Sequence, residues 1–182
     1  MEISICKEDL QYYVAKQLEY KFPDRKSHLD FKDIINKRAF EEALERIEYC
    51  HKHIKVRGYA IEKDGVKYTF FNHLNSDQYS QFLYFFSNSL WKKGGDPDIC
   101  SKLILLNRDL SGCWFSYKAK LPDIFLLCHP VGSVLGNRNV AYSDYLVVLQ
   151  NVTINGNDVP LKLGKYLFLG AGAKIIGGGA NR

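Results

Sequence analysis

The chain lacks any apolar run near the roughly 20 residues that a membrane-spanning helix needs. Its start, Met1-Glu2-Ile3-Ser4-Ile5-Cys6-Lys7-Glu8-Asp9, lacks the basic-then-apolar order of an export signal. A membrane protein and an exported one are therefore not expected, and the cytoplasm is the expected compartment. Cysteine is sparse: Cys6, Cys50, Cys100, Cys113 and Cys128 are odd in number, widely scattered and without a Cys-x-x-Cys pair. That argues against a secreted disulfide scaffold and predicts reduced thiols. A strong surplus of one charge is missing too. The formal +5 is spread among acids, so no nucleic-acid partner is expected.

What the chain does have is enough apolar residues, 46% of 182, to build a core for one domain or two small ones. Leu10, Val14, Leu18 and Phe22 step by four and end at Pro23, and Phe40, Leu44 and Ile47 make a second helical stripe. Asp64-Gly65 between the alternating segments Tyr59–Ile61 and Val66–Phe70 predicts a hairpin. Ser76 is placed to cap a third helix carrying Tyr79, Phe82, Leu83, Phe86 and Leu90, and Asp96-Pro97 opens a fourth that Gly112 ends.

Beyond Gly112 the period changes. Leu163, Leu169 and Ile175 are spaced by six, as are Val148 and Ile154, with glycine after Leu163 and Leu169. Neither helix nor single strand needs that period; a parallel β-helix, which turns one aliphatic side chain inward per flat face, does. Three such hexads make a coil of roughly 18 residues. Three extra residues are expected to bulge somewhere in Asn155–Pro160. About three coils fit, too few to cover their own flat ends, so self-association is expected. The predicted fold is α+β: residues 1–115 mainly helical with a β-hairpin, and residues 116–182 a short left-handed parallel β-helix.

Three blocks in this second part, Cys128-His129-Pro130-Val131-Gly132-Ser133-Val134-Leu135-Gly136, Leu149–Gly156 and Leu169–Gly177, resemble the hexapeptide-repeat acyltransferases and, among them, the serine acetyltransferases. The resemblance covers roughly the last 60 residues, and a helical region followed by coils is also that family's layout. It implies an acetyl-CoA-dependent O-acetyltransferase in which the neutral imidazole of His129 is the general base on an acceptor hydroxyl. It further implies a backbone N–H at Gly156 near the developing oxyanion, and a pantetheine-lining turn at Ala171 and Gly172 with Lys174 just beyond. Acetyl-CoA is the implied co-substrate, no metal is required, and a trimer or a dimer of trimers is the implied assembly.

Several family features are replaced in this sequence. Cys128 stands where the family has an acid, and Asp158-Val159 where it has an Arg-His pair that holds a serine carboxylate. Trp114 and Phe115 stand where the family's imidazole-orienting aspartate lies, leaving Asp109 or Asp123 as substitutes. A sugar hydroxyl therefore competes with serine as acceptor. Cys128 reads as a small buried residue, because adjacent residues of an extended chain point to opposite sides. Metal binding would need two further histidines on neighbouring coils, and none follows His129. The late charges Lys162, Lys165, Lys174 and Arg182 suit an anionic ligand or simply a solvated rim. With glycines closing the sequence, a non-catalytic or truncated scaffold is the alternative reading.

Overall fold

The computed structural model describes residues 1–136, 139–156 and 160–177. Helix α1 (Lys7–Lys21) buries Leu10, Val14 and Leu18 on one face and stops at Phe22, where the following Pro23 disfavours helical backbone. Helix α2 (Ile34–His53) starts under the Asp33 carboxylate, which accepts from the backbone N–H of Ile35 and Asn36. Strands β2 (Ala60–Lys63) and β3 (Val66–Phe71) form the expected antiparallel hairpin. Asp64 and Gly65 both take positive φ, 52° and 75°, as a tight two-residue turn demands. A strand the sequence did not signal, β1 (Glu2–Ile3), pairs in parallel with the far side of β3.

Helix α3 (Ser76–Lys92) is capped by Asn75, not by Ser76: the Asn75 side chain accepts from the N–H of Asp77 and Gln78. Ser76 moves to the first helical position, and asparagine serves as well as serine in a cap. Every residue from Gln78 to Leu90 is buried, polar ones included, so this helix runs through the middle of the protein. Helix α4 (Pro97–Ser111) opens on Asp96 and ends at Gly112 in the left-handed conformation.

The rest of the chain forms short strands: β4 (Phe125–Leu127), β5 (Val134–Leu135), β6 (Val140–Ala141), β7 (Leu146–Val148), β8 (Thr153–Gly156), β9 (Leu161–Lys162), β10 (Leu167–Leu169) and β11 (Lys174–Gly177). Each pairs in parallel with the strand three places on, giving sheets β4-β7-β10, β5-β8-β11 and β6-β9. A chain that stacks every strand on the third one after it winds around three faces. Inward residues stack in rows, Leu127 under Val148 under Leu169, and Leu135 under Ile154 under Ile175. Isolated bridges Trp114–Val134 and Lys120–Ala141 extend two rows upstream of β4.

The circuit is longer than three hexads. Phe125 stacks on Leu146 and Leu146 on Leu167, twenty-one residues apart each time. Val148 to Ile154 and Leu169 to Ile175 keep the six-residue step, but Leu127 to Leu135 takes eight. The first circuit is thus extended at Cys128–Ser133. On the second circuit Leu163, which packs against the core, follows Ile154 by nine residues and precedes Leu169 by six, as three extra residues require; residues 157–159 of that stretch lie outside the described residues. Tyr145 and Tyr166 turn stacked corners of successive circuits, both at positive φ and with rings 5.0 Å apart. Among the described residues no helix is long and apolar enough to cross a membrane.

Candidate active site

The eight-residue step places His129 on a protruding corner. Buried Ser133 stitches the base of this loop to the next circuit, its hydroxyl donating to the Leu149 carbonyl and accepting from the Val152 N–H. Glycine suits position 132: its φ is +75°, which strains other residues, and a Cβ there would lie 2.3 Å from the Asn151 Oδ1 and push that side chain aside. His129 itself has φ 51°, a value that recurs at the coil corners Tyr145, Asn151 and Tyr166. The imidazole is therefore carried outward by the corner's geometry, and its side chain is 84% exposed.

Its partner comes from the helical half. The Asp77 carboxylate, in the first turn of α3 and only 13% exposed, accepts the His129 backbone N–H at 3.1 Å. The same oxygen, Oδ2, lies 3.7 Å from His129 Nδ1. At 3.7 Å this is a contact of the imidazole with a carboxylate and longer than a hydrogen bond. Neither substitute expected from the sequence takes this place. Asp109 pairs with Lys21, which holds its carboxyl below the usual carboxylate range, and Asp123 lines a cleft with Glu42, Arg46 and Lys92. No local pattern pointed to Asp77, which is fifty-two residues from His129.

The other expected site residues divide between two places. Ala171 and Gly172 are exposed and occupy the same edge as His129 on later circuits: the Gly172 N–H donates to the Gln150 carbonyl, and the Asn151 N–H beneath donates to that of Val131. At a strand spacing of about 4.8 Å, two circuits separate His129 from this turn by about 10 Å. Lys174 opens β11 beside them, with its Nζ donating to Thr153 Oγ1 at 3.1 Å. Gly156 lies elsewhere, at the far end of β8. A Cβ there would meet the Asn139 carbonyl at 2.5 Å, so the close approach that its lack of a side chain permits is to the preceding circuit of its own coil.

Cys128 is half-buried, and its backbone N–H donates to the Val148 carbonyl. Asp158 and Val159 lie outside the described residues. Among the described residues no cluster of three or more His, Cys, Asp or Glu side chains could hold a metal.

Family models and curated proteins yield no match to this chain. Solved structures do. A serine acetyltransferase of Neisseria gonorrhoeae in complex with serine aligns over 91% of this chain and 68% of its own, at 20% identity and TM-score 0.55. A truncated serine acetyltransferase apoenzyme aligns over 93% and 70%, at 13% identity and TM-score 0.53. Serine acetyltransferase isoform 3 of Entamoeba histolytica, in complex with cysteine, aligns over 93% of this chain at 16% identity and TM-score 0.52. The fold is similar to that of serine acetyltransferases. The chain spans 59% of the length of the Entamoeba enzyme, and at these identities the likeness concerns fold alone.

Proposed function

We propose that the protein is an acetyl-CoA-dependent O-acetyltransferase whose residues 116–182 form a left-handed parallel β-helix. The observation that carries this reading is the contact of exposed His129 with the shielded Asp77 carboxylate, on a fold similar to that of serine acetyltransferases. With Nδ1–H held toward Asp77, neutral His129 accepts the acceptor's hydroxyl proton at Nε2 as the oxygen attacks the thioester carbonyl. The tetrahedral adduct then expels the coenzyme thiolate, which takes the proton from the imidazolium. Asp77 stabilises that transient cation and fixes its tautomer.

Ala171, Gly172 and Lys174 are assigned to the coenzyme arm, because they share the His129 edge and leave it open. Gly156 serves His129 of a neighbouring subunit rather than its own, since one chain separates the two by the length of a strand. This requires association, as a trimer or a dimer of trimers. An imidazole as exposed as His129 also needs a second surface to exclude water from the reaction. The acceptor is a small hydroxyl compound. The Neisseria and Entamoeba structures hold serine and cysteine, whereas Cys128 offers an amino acid no charge, so a sugar hydroxyl is the preferred class. The compartment consistent with this chemistry is the cytoplasm.

The test measures thiol release from acetyl-CoA with L-serine, free sugars and nucleotide-linked sugars as acceptors. Turnover with one of them, lost in His129→Ala, is the expected result. The competing reading, a non-catalytic scaffold, is favoured by the openness of the His129 corner in one chain. It predicts no release with any acceptor and no rise in melting temperature with acetyl-CoA.

A further inference from the structure

A second cleft lies away from His129, between the end of α2 and the β2-β3 hairpin. It has a volume of about 520 Å³, within the range of small-molecule sites. Four cations line it, Lys52, Lys55, Arg57 and Lys67, and no carboxylate does. Among the described residues none of the four is in an ion pair, whereas Lys63 of the same hairpin is taken by Glu2. Glu62 stands opposite Lys67 on the ladder without pairing to it. The α2 dipole accounts for Lys52 in the last helical turn, but Lys55, Arg57 and Lys67 lie beyond the helix. Four like charges around one cavity repel one another, and an anion between them removes that cost.

The wall of the cleft points the same way. His51, buried, has Nδ1 2.9 Å from the Phe70 carbonyl and Nε2 3.1 Å from Gln81 Oε1. The Gln81 amide is oriented by its own N–H donation to the Phe125 carbonyl, so both ring nitrogens face acceptors. Only the doubly protonated ring donates to both. Burial pulls the His51 pKa down, against the Phe70 and Gln81 oxygens, which act to raise it. An anion in the cleft would favour that imidazolium.

We propose that this cleft binds a compact polyanion carrying two or more phosphate groups. Arg57 supplies a planar fork suited to two phosphate oxygens, and the lysines act as point charges. The cleft is too small and carries too few cations for a duplex, where 6–10 phosphate contacts are typical. The proposal does not rest on acetyl transfer.

Isothermal titration of the whole chain with pyrophosphate tests it, with ATP as a second ligand. Lys55→Ser/Arg57→Ser and Lys67→Ser alter exposed side chains, and circular dichroism checks that they stay folded. The expected result is saturable binding that weakens as salt is raised, and weakens at least 10-fold in the double variant. Equal affinity for ATP assigns a simple polyphosphate, and tighter binding of ATP a nucleotide. Unchanged affinity in both variants overturns the proposal, as does no binding at millimolar pyrophosphate. Loss of binding in His129→Ala would also overturn it, by moving the anion to the candidate active site.

Discussion

In α3 every residue from Gln78 to Leu90 is buried, whereas in the last described circuit of the coil the residues Leu167, Ala173 and Ile175 are only half-buried. The chemistry of the two regions differs accordingly. Polar groups inside α3 must find partners, and they do: Ser80 bonds Asn107, Tyr84 Oη donates to the Ala119 carbonyl, and Asn88 Nδ2 to that of Tyr117. Several of these bonds tie the helix to the chain entering the coil. On the outer surface of the last circuits, Tyr166, Phe168 and Ile176 are 75%, 65% and 64% exposed. The core is therefore sealed where α3 crosses it and through the second circuit, and opens on the last described one. Asp77 and His129 meet where the sealed region touches the open edge.

The largest expected effect tests that meeting point. Because the His129 ring is exposed, His129→Ala should leave the melting temperature within about a degree of the parent's, yet lower turnover by about 10²–10⁴, the usual contribution of a general base. Comparable acetyl transfer by mutant and parent would remove His129 from the mechanism. A large drop in stability instead would mean that the corner belongs to the sealed region.

Substitutions in the two cores separate them directly. Phe82→Ala, in the middle of α3 and fully buried, should cost about 3–5 kcal/mol in urea unfolding. Ile175→Ala, half-buried on the third circuit, should cost about 1 kcal/mol in a dilute monomer. If Ile175→Ala costs as much as a buried isoleucine, about 2–5 kcal/mol, another subunit covers that circuit. Light scattering across a dilution series then has to show an assembly larger than the chain mass.

Asp77→Asn should come next in size. It keeps an acceptor for the His129 N–H but loses the charge that steadies the imidazolium, so turnover should fall about 10- to 100-fold, as for a hydrogen bond to a charged group worth about 1.5–3 kcal/mol. The pH dependence of turnover should shift in the same variant. An unchanged profile and rate would leave Asp77 as an anchor for the loop alone.

How legible these regions were follows from the range of the forces that make them. The helices, the Asp64-Gly65 hairpin and the hexad step at Val148–Ile154 and Leu169–Ile175 are set by residues within a few positions of one another, and their periods are visible in the sequence. Strand β1 is not, since two residues owe their conformation to β3, more than sixty positions away. The length of the first circuit was also hidden: it depends on where its extension falls, and Pro130-Val131-Gly132 reads equally as loop or as face. The Asp77–His129 contact needs both that extension and the packing of α3 against the coil.

The smallest expected effect concerns acid, and it belongs to the sealed region. Burial lowers the His51 pKa from its usual 6.5, so below that value the unfolded chain binds a proton that the folded chain resists. Stability then rises with pH between the folded and unfolded values, and falls on acidification through about 6.5. His73, half-buried beside Ser4, is shifted by burial in the same direction. The lowered carboxylates Asp109 and Glu42 act in a separate window: they contribute stability above their unfolded values, near 4, and lose it as pH falls further. Melting temperatures between pH 7.5 and 5.5 therefore isolate the histidines. The parent should lose stability across that range without added phosphate, and His51→Gln should show a shallower slope, the remainder belonging to His73. Equal slopes would mean that the imidazolium is already accommodated between the Phe70 and Gln81 oxygens, and that the interior around α3 tolerates a charge there.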